Sequence, residues 1–110
     1  MAAYSEITIE QGATFETTVN VEDAYNNPIN LTGFTASSMM RKSYYSSTAY
    51  NIISTVTGTS NGEITLTMSS ANTAVLPIGR MVYDLIINDG ANNITRVVEG
   101  IATILPSVTR

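Results

Sequence analysis

From Glu63 to Met68 the chain reads Glu-Ile-Thr-Leu-Thr-Met, polar and apolar residues in strict turn. A period of two puts alternate side chains on opposite faces of a pleated strand. This stretch therefore buries Ile64, Leu66 and Met68 together only as a β-strand. The same period recurs elsewhere. In 14–21, Phe15, Val19 and Val21 fall on one side and Glu16, Thr18 and Asn20 on the other. In 81–87, Met81, Tyr83, Leu85 and Ile87 share a side. One-sided alternation of this kind belongs to antiparallel strands with one face on a core and the other toward water.

Turn chemistry separates the runs. Asn26-Asn27-Pro28 follows the second, and Asn61-Gly62 is a strong hairpin signal because both residues tolerate positive φ. Asp89-Gly90 with Asn92-Asn93 closes the next hairpin, and Leu105-Pro106 stops the last strand, since proline cannot donate to a ladder. Seven strands are expected, at about 5–10, 14–22, 34–44, 49–57, 63–68, 80–88 and 94–104. Gln11-Gly12 reads as a kink or a switch between sheets. The segment 69–76 opens on a serine cap, carries alanines and stops at Pro77, which predicts one helical turn across an end of the domain. The adjacent Val97-Val98 and the following Glu99-Gly100 break the alternation of the last strand. A β-bulge near Glu99-Gly100 would restore it, turning Ile101 and Ile104 inward, and would either curve the strand or aim Glu99 at a partner. These elements make a two-sheet sandwich, one domain over 1–110.

Composition removes several function classes. The chain has no cysteine and no histidine, so disulfides, zinc or iron–sulfur sites built on those residues, and nucleophilic machinery relying on them, are absent. No cofactor is expected. The net charge of −4 argues against nucleic acid, which needs a clustered basic face. No apolar run is long enough for a membrane span, and the N-terminus lacks a basic region followed by an apolar core. The expected setting is therefore cytoplasmic synthesis or assembly. Charged residues make up 13% of the chain, against roughly 25% in ordinary domains. Either Ser, Thr and Asn supply the solubility, or neighbours in an assembly cover part of the surface.

Individual residues offer several chemistries, each beside a plainer reading. Asp84 and Glu99 would face each other across the final hairpin, as a hydrolase acid/base pair does; two carboxylates on solvated strand faces are the commoner case. Glu22-Asp23 with Asn26-Asn27, or Asp89 with Asn92-Asn93, offers oxygen ligands of the kind Ca²⁺ takes. Asx residues, however, mainly bond their own backbone in turns. Asn30-Leu31-Thr32 and Asn93-Ile94-Thr95 match the glycosylation sequon, a chance match without a secretory signal. Tyr44, Tyr45 and Tyr50 sit in a serine-rich stretch. With Tyr50 turned to the core, Tyr25, Tyr44 and Tyr45 remain for contact with a protein, for stacking on a sugar, or as ordinary loop residues.

The order of these motifs resembles a known family. Leu31-Thr32-Gly33-Phe34-Thr35-Ala36, Met40-Arg41-Lys42-Ser43, Asn61-Gly62-Glu63-Ile64-Thr65-Leu66, 74–84 (Ala-Val-Leu-Pro-Ile-Gly-Arg-Met-Val-Tyr-Asp) and Arg96-Val97-Val98-Glu99-Gly100 follow one another in it. It is similar to the small β-sandwich virion proteins of tailed bacteriophages, and to the immunoglobulin-like N-terminal domain of phage baseplate upper proteins. Phe34 stands where the family often has Tyr, and Met39-Met40 where an aliphatic is frequent. The resemblance implies an all-β, seven-stranded antiparallel immunoglobulin-like β-sandwich with one short helical turn, used structurally and without catalysis. Leu31 and Phe34 would plug one end, Met40 would lie in the core, and Arg41 would project outward. Its carboxylate partner would be Asp84 or a group on a neighbouring subunit.

The function expected from the sequence is that of an accessory virion subunit binding other phage virion proteins, capsid or tail, in many copies. Contact residues would be Tyr25, Arg41, Tyr44, Tyr45 and Glu99. No nucleic acid, membrane or small-molecule substrate is implied. Capsid decoration or cementing is preferred because the sequence is a lone domain without an anchor. A tail, neck or baseplate subunit is the alternative, and a carbohydrate-binding module using the tyrosines a further one. The mechanism would be adhesion by sparsely charged edges and loops, strengthened by avidity.

Overall fold

In the computed structural model, which describes residues 3–22, 25 and 27–108, the alternating runs become eight strands and a short helix. They are β1 (Ala3–Tyr4), β2 (Ile7–Glu10), β3 (Phe15–Asn20), β4 (Thr35–Arg41), β5 (Tyr50–Gly58), β6 (Glu63–Met68), α1 (Ser70–Ala74), β7 (Gly79–Asn88) and β8 (Ile94–Leu105). One hydrogen-bonded path runs β1-β8-β7-β4-β5-β6-β3, with β2 also on β8. It folds into two layers because β5 belongs to both. Its first residues pair with β4 (Met40↔Tyr50, Ser38↔Ile52) and the rest pair with β6 from Ile53↔Thr67 onward. We call the layer of β1, β2, β8, β7 and β4 the front sheet, and that of β5, β6 and β3 the back sheet. The result is an immunoglobulin-like β-sandwich.

The alternation translates directly into burial. Ile64, Leu66 and Met68 of β6, Met81, Tyr83, Leu85 and Ile87 of β7, Met40 of β4 and Ile104 of β8 line one core, with Phe15 and Val19 packed against it. Leu31 is fully buried and Phe34 half-buried, closing one end through a turn in which the Phe34 amide donates to the Leu31 carbonyl (2.9 Å). Ser69 caps α1 with its hydroxyl. The Thr73 hydroxyl of α1 donates to the Ala13 carbonyl (2.8 Å), and the Gly12 amide donates to it (3.1 Å). The helical turn therefore braces the corner at 11–14, where the chain leaves the front sheet for the back one.

Three expectations change on contact with the structure. The first strand is split, and both pieces run parallel to β8 rather than antiparallel. The corner at 11–14 lies at the end where β8 finishes, so a strand leading into that corner must run the way β8 runs. The split falls at Ser5, whose carbonyl is pressed over the α-carbon of Gly100; a methyl group there would collide with it. Gly100 is thus a close-approach glycine, and the bulge lies elsewhere. Leu85 pairs with Val98 but Ile86 pairs with Arg96, so Val97 is the extra residue. Ala102 and Ile104 consequently face the core, and Ile101 faces outward. Finally, the hairpin turn expected at Asn61-Gly62 spans 59–62, and it does not take positive φ at both of those residues. Only Gly62 takes positive φ (68°), and it does so under the Val21 carbonyl, against which any side chain would clash.

Candidate docking face

The outer surface of the front sheet is assembled by register. Met39, Asp84, Glu99 and Tyr4 lie in one row across β4, β7, β8 and β1, with Arg41, Val82 and Ile101 in the row beside it. Ser37, Ile86 and Arg96 form the row on the other side. β7 is the centre of this face, and its outward residues include Val82 and Ile86. A strand with apolar residues on both sides reads as one buried on both faces. Here the core covers one side, while Met39 on the other remains 45% exposed. A shallow depression of about 300 Å³ lies between β4 and β7, lined by Met39, Arg41, Tyr44, Val82, Ile86 and Arg96 among others.

Charge on this face is concentrated at one point. Arg96 Nε lies 3.4 Å from Asp84 Oδ2, and its Nη1 lies 3.6 Å from Glu99 Oε2. Asp84 and Glu99 stand directly opposite each other, a repulsive arrangement that Arg96 neutralises in part. The bulge at Val97 makes this possible. In a regular strand Arg96 would share the inward face of Val98, and an unpaired arginine there is prohibitively costly. The extra residue turns it outward beside the two carboxylates. Both contacts are exposed to solvent, so each contributes roughly 0–1 kcal/mol.

Arg41 does not pair with Asp84. The register sets it opposite Val82, with Met39 opposite Asp84. Its guanidinium Nη1 instead donates to the Ser46 carbonyl (2.7 Å). With the Ser46 amide on the Ser43 carbonyl (3.1 Å), this closes a turn that presents Tyr44 and Tyr45 at its apex. Tyr45 is 97% exposed and Tyr44 66%, and Tyr44 borders the depression. Tyr25 lies in the β3–β4 connection, whereas the Tyr44–Tyr45 turn lies in the β4–β5 connection. These are opposite ends of β4, about 20 Å apart along a seven-residue strand. The structure therefore splits the three tyrosines and builds no single stacking site from them. Of the expected contact residues, Arg41, Tyr44 and Glu99 belong to or border the front face, Tyr45 stands at its rim, and Tyr25 lies apart. The Met39, Val82, Ile86 and Arg96 contributions were missed. The signal for two of them was present in the apolar Val82 and Ile86 on the nominally polar side of β7.

The other candidate chemistries resolve locally. Asp89 accepts from the Ala91 amide (2.7 Å), the Asn93 amide (3.3 Å) and the Asn93 side chain (2.9 Å). The Asn93 side-chain bond, then the backbone bonds, hold its carboxyl below the ordinary carboxylate value. Its oxygens thus serve the turn. Of the other acidic loop, Asp23 and Asn26 lie outside the described residues. Among the described residues no three acidic groups converge on one point. Burial pushes the Tyr83 phenol above its ordinary 10.0, and its Oη donates to the Ser5 carbonyl (2.7 Å). That bond holds the split between β1 and β2 in place. The buried Ser38 hydroxyl donates to the Asp84 carbonyl (2.5 Å), a further tie between β4 and β7.

Comparison with protein-family models and with curated protein sequences finds no match. Solved structures do match. The N-terminal domain of phage TP901-1 ORF48 superposes with a TM-score of 0.62 at 10% identity, over 92% of this chain and 85% of that one. The Lin-41 filamin domain matches with a TM-score of 0.46 at 18% identity, over 88% and 81%. At such identity the likeness to the phage domain concerns the fold.

Proposed function

We propose that this chain is a non-enzymatic structural subunit of a tailed-phage virion that docks onto other virion proteins through the outer face of its front sheet. The observation that carries the docking is the composition of β7, whose Val82 and Ile86 face outward around a charge cluster that Arg96 balances in part. A face of this kind loses little by desolvation and gains from burying its aliphatic groups. The phage assignment is supported by the fold shared with a phage N-terminal domain along nearly the whole chain. It is supported also by the motif order that resembles virion sandwiches, and by the 13% charged content.

Within the particle, capsid decoration and a tail or baseplate position both fit this reading. Assembly would take place in the host cytoplasm, with the virion as final location. Antibody raised against the chain, coupled to gold and applied to purified virions of the encoding phage, tests it. Labelling at one fixed place in many copies is expected, over the head surface for a decoration protein or at the tail end for a baseplate subunit. Absence of the chain from purified virions by immunoblot overturns the proposal.

A further inference from the structure

The two flanks of the sandwich are built differently. On one flank β5 passes between the layers and seals them with continuous pairing. On the other, β2 and β3 face each other as free edges. Among the described residues β2 pairs only with β8, and β3 is the last strand of the hydrogen-bonded path. Between them runs a groove of about 450 Å³. Its floor is Ile7 and Phe15, both only half-buried. Its walls carry Glu6, Glu10 and Glu16, and among the described residues no basic one lines it.

We infer that this groove accepts an extended segment of another polypeptide, one that alternates apolar and basic residues and adds as a strand to the free edge of β3. The six residues of β3 offer one unused row of backbone donors and acceptors, roughly 20 Å long. A strand laid there turns alternate side chains inward, over Ile7 and Phe15, and the others outward, beside Glu16, with Glu6 and Glu10 across the groove. The inward set must be apolar and the outward set basic. The donor is not a second copy of this chain. Its basic residues are Arg41, Lys42, Arg80, Arg96 and Arg110, and no two stand two positions apart. The inference rests on the fold and holds wherever the protein works.

The test uses the whole chain and a soluble, labelled eight-residue peptide alternating valine and lysine. Two further probes are a valine–glutamate counterpart and a valine–lysine peptide N-methylated along one edge. Binding is followed by fluorescence anisotropy, and its place by amide chemical shifts. Saturable binding of the valine–lysine peptide is expected, with shifts concentrated in residues 15–20. About tenfold weaker binding is expected for each of the other two peptides. The Glu10→Lys, Glu16→Lys double variant, whose changes are on exposed positions, should keep its melting temperature and prefer the valine–glutamate peptide. Failure of the valine–lysine peptide to bind, shifts elsewhere on the surface, or equal affinity for the N-methylated peptide each overturns the inference. The last outcome would mean that charge adsorption alone is at work.

Discussion

The outer faces of the two sheets obey the same alternation and end in different chemistry. The back face shows Ile53 where β5 begins to pair with β6 and is otherwise polar, with Thr55 and Thr57 of β5, Thr65 and Thr67 of β6, and Glu16 and Thr18 of β3. Thr57 there bridges Glu63 (2.9 Å) and Thr65 (3.0 Å), a hydroxyl network suited to water. The front face shows Met39, Val82, Ile86 and Ile101, and Arg41, Arg80 and Arg96 are all on its strands. The inner halves of both sheets are buried, and the outer half of the front sheet carries aliphatic residues on its central strand. The proposed docking rests on this break in the alternation of the front sheet's central strand.

The largest effect that separates the sheets concerns how their edges are anchored. β1 and β2 sit on Gly100 through Ser5, whereas β3, among the described residues, pairs only with β6. Gly100→Val forces the Ser5 backbone away and should cost about 3 kcal/mol of folding stability by overpacking. Thr18→Val, on the exposed back face, should stay within about 0.5 kcal/mol. Urea unfolding of both variants measures the contrast. Equal losses would mean that the front edge is no more tightly seated than the back one.

Next in size is docking. Ile86→Asp places a charge in the middle of the front face and should lower incorporation into particles on the order of 30-fold, equivalent to about 2 kcal/mol at an interface centre. Thr65→Asp on the back face should leave incorporation unchanged. Quantitative blotting of virions assembled with each variant supplied in trans reads both. A reversed ranking would assign the partner to the back sheet.

Much of this contrast was legible in the sequence, and the losses have identifiable causes. β6 was readable to the residue because nothing interrupts its alternation. The last strand's slip was visible in Val97-Val98, but alternation alone does not say which residue is extra. Glycine suggested 99–100, whereas the need to expel Arg96 from the core puts it at Val97. The parallel direction of β2 is set by where a distant strand ends, which local pattern does not encode. Charge alone suggests Arg41 for Asp84, and only the structure sets Arg41 opposite Val82 with its guanidinium on the Ser46 carbonyl. The separation of Tyr25 from Tyr44 was in principle available, because the connections before and after one strand fall at its opposite ends.

A smaller effect tests the anchoring from inside. Tyr83→Phe removes the hydroxyl bond to the Ser5 carbonyl and should cost about 1 kcal/mol. It also changes the pH response. The phenol's folded pKa lies above its ordinary value of 10.0 because burial opposes the phenolate. Its contribution is therefore complete below pH 10 and is lost as pH rises through the folded value. Unfolding curves above pH 10 should show the wild type losing stability that the phenylalanine variant does not lose. β6 and β3 of the back sheet hold no tyrosine.

The smallest effect is the most specific, since it asks whether the two faces hold themselves together by different forces. Arg96→Met keeps most of the aliphatic stem and deletes the charge, leaving Asp84 and Glu99 opposed. The loss should be about 0.5–1 kcal/mol at low salt, because exposed ion pairs are weak and facing like charges repel. Raising salt to about 1 M shortens the screening length to roughly 3 Å, and most of that loss should disappear. Thr57→Val removes a neutral hydroxyl that bonds Glu63 and Thr65 on the back face. Its cost, about 0.5 kcal/mol, should move far less with salt, because only one of its two bonds involves a charge. Chemical unfolding in urea, which leaves ionic strength free to vary, separates the two. A salt-independent Arg96→Met loss would show that the arginine acts through its packed stem rather than through charge, and the front face would then differ from the back in apolar content alone.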